Sequence, residues 1–192
     1  GQQAARLSAL NVLAHAKKTG QKIQVPFAAE LERAFEVWLN LSRPDGTCVS
    51  VNDAGPCDRH YRDCLAGGAD LFQRQDFRFV ASNGGSGVRP AHLSILYPYA
   101  GYAVMRSGWD TDDRYLFFDG GPCGINHRHE DKLNIECYAY GQRFIVDPGI
   151  HQYGPSEFGD YFGSTPAHNT IVVDGLGQRR RDDPQAWSVA AP

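Results

Sequence analysis

Apolar positions along the chain change their period once, near the middle. In the first third they recur at helical spacing: Leu7, Leu10, Leu13 and, less cleanly, Ala14, with Gly20 where a helix C-cap belongs. A second helix is predicted from Pro26, with Phe27, Leu31, Phe35, Trp38 and Leu39 on one face. Ser42-Arg43-Pro44-Asp45-Gly46 interrupts the chain. A weaker helix is predicted over about 58–72, against the pull of Gly67 and Gly68. Composition shifts after Asp76, and Ser82-Asn83-Gly84-Gly85-Ser86-Gly87 reads as a flexible linker. Beyond it the period is two. Residues 102–105, 115–118, 133–140, 143–146 and 170–173 are short runs rich in aromatic and β-branched side chains, separated by Gly and Asp. Ala139-Tyr140-Gly141-Gln142 predicts a tight hairpin turn.

Helices followed by strands predict an α+β, multidomain arrangement. Residues 1–75 are expected to be helical, 76–95 a linker, and 96–192 an antiparallel sheet domain. Two or three helices cannot bury their apolar faces alone, and a sheet ending near a candidate strand at 185–189 calls for more strands. The natural protein is therefore expected to extend on both sides.

Composition narrows the function classes. Of 192 residues, 42% are hydrophobic and 21% charged, which suits a packed globular chain. A net charge of −3 gives no reason to expect a nucleic-acid partner. The basic run 179–181 is followed at once by Asp182 and Asp183 and reads as a solvated turn. No apolar run approaches a membrane span, and no signal peptide is visible. Cys48, Cys57, Cys64, Cys123 and Cys137 are odd in number and irregularly spaced, so free thiols are expected over a disulfide framework or a cysteine zinc site.

The chemistry concentrates in Gly124-Ile125-Asn126-His127-Arg128-His129-Glu130-Asp131. Histidines at i and i+2 on a strand share a face and can serve one metal, or one metal and one substrate. Asp147, ahead of Pro148, and His168, at a loop-to-strand junction, could complete two imidazoles and a carboxylate, a set that suits zinc. A straight hairpin turning at Tyr140-Gly141 would hold Asp147 opposite about Asn134, roughly 17 Å of strand from His129. A shared metal requires a bulge or a fold-back near Glu130-Asp131.

The in-order blocks 101–110, 115–122, 127–133, 138–141, Val146-Asp147-Pro148-Gly149, 164–170 and Val173-Asp174-Gly175 resemble the C-terminal sheet domain of the heparinase II/III-like polysaccharide lyases, which include heparin, heparan and alginate lyases. The helical third resembles, less specifically, the last hairpins of that family's (α/α) toroid. The resemblance implies the end of a toroid followed by an incomplete antiparallel β-sandwich. It implies β-elimination on an anionic uronic-acid polysaccharide or oligosaccharide such as alginate or heparan sulfate, in a periplasmic or secreted protein. His127 is then the cleft-facing residue, a base or carboxylate neutraliser. Asn126, Tyr153 and Tyr161 are expected to contact substrate. His129, Asp147 and His168 would hold a structural Zn²⁺. The toroid segment carrying the family's catalytic Tyr and Asn is not in this chain, and Gly163 stands where relatives often carry Arg. Two other readings compete. One is a non-catalytic carbohydrate-binding or metal-stabilised scaffold module. The other is a cupin-like metal enzyme, disfavoured because Leu133 and Asn134 stand where a cupin needs Glu.

Overall fold

The computed structural model describes residues 11, 15, 18–20, 25–55, 60–121, 127–153 and 156–178. It divides into two compact units. One comprises residues 1–48 and 58–91, the other 49–57 and 92–192.

In the first unit, residues 11, 15, 18 and 19 are helical and Gly20 follows at φ +70°, as a helix C-cap requires. Leu7, Leu10, Leu13 and Ala14 lie outside the described residues. Helices follow at Val25–Leu41, His60–Phe72 and Gln75–Ala81. Phe35, Leu39, Leu65 and Phe77 are wholly buried among them. The Phe35 ring lies 4.8 Å from that of Trp38, 5.7 Å from Phe72 and 6.3 Å from Phe77. Gly68 is needed where it stands, because a Cβ there would fall 2.6 Å from the Phe35 ring.

The linker expectation for 76–95 needs correction. Gln75–Ala81 is a helix that buries Phe77, Phe79 and Val80. The glycine-rich stretch after it folds back as a defined turn: Ser82 Oγ accepts from Ser86 N at 2.9 Å, and Val88 N donates to Gln75 O at 3.0 Å. Gly87, at φ +90°, lies so close to Gln75 O that a Cβ would be 2.3 Å away. Composition suggested flexibility, but burial of the aromatic side chains ahead of the glycines fixes the path.

The second unit is an antiparallel sheet in sequence order: β1 Ile95–Tyr97, β2 Tyr102–Arg106, β3 Tyr115–Asp119, β4 Asn134–Ala139 and β5 Gln142–Ile145. Side chains alternate across it, and Val104, Tyr115, Phe117, Glu136 and Tyr138 form its buried face. Tyr140 (φ +52°) and Gly141 (φ +74°) make the two-residue turn between β4 and β5, the left-handed pair such hairpins prefer. Sequence reasoning missed β1. The run 170–173 is not a strand: Ile171, Val172 and Val173 are exposed, and Val173 bridges only to Leu176 across the Asp174-Gly175 turn. The candidate strand at 185–189 lies outside the described residues. Among the described residues no helix is long and apolar enough to cross a membrane.

Candidate functional site

His129, Asp147 and His168 gather at the end of the sheet where β3 finishes and β4 begins, and Asp53 links His127 to His129 there. The His-x-His run is not on a strand, as the spacing had suggested. It is a loop entered by His127 at φ +55°. The fold-back that a shared site demands follows directly. Asn134 N donates to Asp131 O at 3.0 Å, Leu133 adopts φ +66° and its N–H reaches Asp119 O at 2.7 Å. The chain therefore reverses at 131–134 and brings His129 back over the end of the sheet.

The second arm is Asp147. The extended strand ends before Pro148, and Gly149 (φ +62°) turns the backbone so that its N–H donates to Asp147 Oδ1 at 2.8 Å. Asp147 Oδ2 accepts from His168 Nδ1 at 2.7 Å, with both side chains almost fully buried. The third arm carries His168 after a short 3-10 turn, Thr165–Ala167. Two residues anchor that arm. Buried Glu130 accepts from Thr165 Oγ1 at 2.9 Å. Asn169 donates through Nδ2 to Ile135 O at 3.1 Å and Val146 O at 2.9 Å, and Asn134 Oδ1 accepts from Asn169 N at 3.0 Å. Asn169 thus ties the His168 arm to both flanking strands.

These constraints set the His129 and His168 rings 5.2 Å apart. His129 Nδ1 and His168 Nε2 are buried and, among the described residues, have no hydrogen-bond partner. Buried imidazole nitrogens beside carboxylates are groups that could hold a divalent metal. Among the described residues no three His, Cys, Asp or Glu side chains already converge as ligands of one ion. The rings are instead drawn to carboxylates.

The electrostatics are those of crowded acids. Asp119, at the end of β3, has its carboxyl pushed up to about 7, first by burial and further by Asp131 and Asp147, against one stabilising bond from Gly121 N. Burial also raises Asp131, while His168 and His129 oppose that rise. Burial raises Tyr102, with Asp119 and Asp131 adding to it.

His127 is exposed, and its Nδ1 lies 2.5 Å from Asp53 Oδ2. His129 Nε2 lies 3.1 Å from the other oxygen of the same carboxylate. The Tyr153 ring stands edge-on to His127 at 6.1 Å. Tyr161 is exposed on the helix Glu157–Phe162 with its ring against Phe162. Asn126 lies outside the described residues. Sequence reasoning missed Asp53, which lies 74 residues before His127 and carries no motif. Asn169 and Glu130 lie within the motif blocks, but their roles depend on folding. No disulfide is assigned to Cys48, Cys64 or Cys137, whereas Cys57 and Cys123 lie outside the described residues.

Comparison with known proteins gives one consistent result. The family described as heparinase II/III-like, C-terminal, matches residues 89–191. The chain is 25% identical over 173 residues to a heparin-sulfate lyase of Pedobacter heparinus, covering 86% of this chain and 26% of that protein. It is 25% identical over 154 residues to a heparin-sulfate lyase of Bacteroides stercoris, covering 75% and 22%. The crystal structure of the heparan sulfate lyase HepC from Pedobacter heparinus superposes with a TM-score of 0.82 at 24% identity, over 90% of this chain and 28% of that one. A heparinase III structure gives a TM-score of 0.75 at 18% identity, over 89% and 31%. The chain thus spans about a quarter of the length of these relatives.

Proposed function

Because the chain belongs to the heparinase II/III-like family, through that family's C-terminal domain, we propose that it is part of a polysaccharide lyase. The reaction is β-elimination on a uronic-acid glycan. Heparin or heparan sulfate is favoured over alginate because the similar proteins are heparin-sulfate lyases. The helical residues are read as the last hairpins of the toroid, and the protein as periplasmic or secreted.

The observation that carries the chemistry is the environment of His127. Its ring is exposed, yet it is held at Nδ1 by a carboxylate. A carboxylate oxygen accepts, so Nδ1 carries the hydrogen and Nε2 of the neutral ring keeps its lone pair. That nitrogen is suited to remove the proton at C5 of the uronate. The C5–H electron pair then forms the C4–C5 double bond, and O4 departs with a proton from an acid. A donor facing the uronate carboxylate makes C5 more acidic; Asn126, Tyr153 and Tyr161 are read as the substrate-contacting group, and the Tyr153 ring stands beside His127. The acid and further donors are assigned to toroid residues of the full-length protein.

His129, Asp147 and His168 are read as the holders of a divalent ion, Zn²⁺ by ligand type. Two buried imidazole nitrogens without hydrogen-bond partners among the described residues support this. When bound, the ion would supply charge that fixes the three arms together; the residues themselves already place the arms by hydrogen bonds.

The test is to incubate the full-length protein with heparan sulfate, heparin and alginate and follow the ultraviolet absorbance of unsaturated uronates. A rise with heparan sulfate is expected. Binding of a glycan without any rise would replace the lyase by a carbohydrate-binding module.

A further inference from the structure

We propose that Asp53 is the positioning residue for His127, fixing its ring orientation and its Nδ1–H form. The inference rests on the lyase reading of His127 and adds a residue to it. One carboxylate serves both histidines of the run: Oδ2 accepts from His127 at 2.5 Å and Oδ1 from His129 at 3.1 Å. The His127 side chain is 57% exposed and that of Asp53 17%, so the orienting group is the better buried of the two. Among the described residues no other hydrogen bond holds this exposed imidazole in one orientation; the edge of Tyr153 limits it on one side only.

The loop carrying Asp53 is built for this placement. Asn52, at φ +53°, and the Ala54 N to Val51 O bond at 3.1 Å make a tight turn that projects Asp53. Ser50 N donates to Oε1 of the fully buried Glu136 at 2.8 Å, tying the loop to the middle of β4. Ile150 N donates to Ala54 O at 3.3 Å. Gly149 accommodates this approach, since a Cβ there would lie 2.0 Å from Ala54 O. The segment after Asp147 therefore seats the segment that bears Asp53. A carboxylate that holds a functional imidazole in its correct tautomer contributes through that imidazole and not by itself.

In the full-length protein acting on heparan sulfate, Asp53→Ala is expected to lower kcat by about 10–100-fold, the range for losing a group that orients a functional histidine. KM should change by less than about 3-fold, because the lost interaction acts on turnover and not on uniform binding. A double-mutant cycle with His127→Ala separates positioning from general damage. If Asp53 acts through His127, the double variant is no slower than His127→Ala alone. Losses that multiply would overturn the proposal, as would normal turnover of Asp53→Ala where His127→Ala is crippled. If His127→Ala itself turns over normally, the lyase reading of His127 has failed. Asp53 is then judged by crystal structures of the full-length wild type and Asp53→Ala: the ring is expected to leave its orientation in the variant, and an unmoved ring overturns the proposal.

Discussion

The helical unit and the loop end of the sheet unit treat charge in opposite ways. Among the helices the buried volume is mainly aromatic and aliphatic, and Arg74 gathers Glu32, Glu36 and Asp76 with all four side chains still partly in water. Those partners raise Arg74, and Asp76 is held below its ordinary value, though burial opposes both shifts. At the end of the sheet, Asp119, His129, Glu130, Asp131, Asp147 and His168 are all buried. Burying ionisable groups costs free energy that apolar packing would not. The helical unit shows that this sequence can build a core mainly from aromatic and aliphatic side chains. The polar end therefore gives up stability that apolar packing would supply.

Three substitutions sharpen that contrast. The largest effect is on turnover. His127→Ala in the full-length protein should lower kcat on heparan sulfate by about 10²–10⁴-fold, the usual contribution of a general base, with the melting temperature little changed because the ring is exposed. Next is the helical core. Phe35→Ala removes a ring packed on three others and should cost about 3–5 kcal/mol in denaturant unfolding. Turnover per folded molecule should stay near normal. His168→Ala should act at the polar end instead. It leaves the buried Asp147 carboxylate without its imidazole partner, at about 1–3 kcal/mol. Zinc measured on the purified protein should fall from about one per chain towards zero, as expected when one of three protein ligands is removed. If Phe35→Ala lost the metal, or His168→Ala kept it, the two regions would not be separable in this way.

Much of the sheet was legible in the chain because alternation and a left-handed two-residue turn are local signals. Tyr140-Gly141 set the β4–β5 hairpin. The site was legible in its residue types: the motif blocks contain His127, His129, Asp147 and His168, and folding brings the last three to one buried end. Their geometry was not legible. Strand periodicity put the histidines on a strand, whereas positive φ at His127 and Leu133 makes a loop and a reversal there. Such conformations at non-glycine residues leave no compositional trace. Asp53 was invisible for a different reason: its partners are more than 70 residues away, and no local pattern encodes that pairing.

The smallest expected effect tests the polar end alone. Burial, with Asp131 and Asp147 nearby, sets the Asp119 carboxyl at about 7, above the ordinary carboxylate range near 4. Between those values the folded protein binds a proton that the unfolded chain has released. Stability contributed by this group is therefore complete below about pH 4, declines as pH rises, and is lost above about pH 7. At about 1.4 kcal/mol per pH unit the displacement bounds the effect near 4 kcal/mol; relaxation of the cluster reduces this to the order of 1 kcal/mol. Asp119→Asn keeps an oxygen for Gly121 N and has nothing to ionise. In chelating buffer the wild type should therefore lose stability relative to Asp119→Asn from pH 4 to 7, followed as the difference in melting temperature. A bound divalent cation favours the ionised forms of acids around it, so zinc should flatten the wild-type slope. A slope equal in both proteins would show that Asp119 titrates as an ordinary surface acid. The contrast between the two regions would then rest on His129, His168 and their partners only.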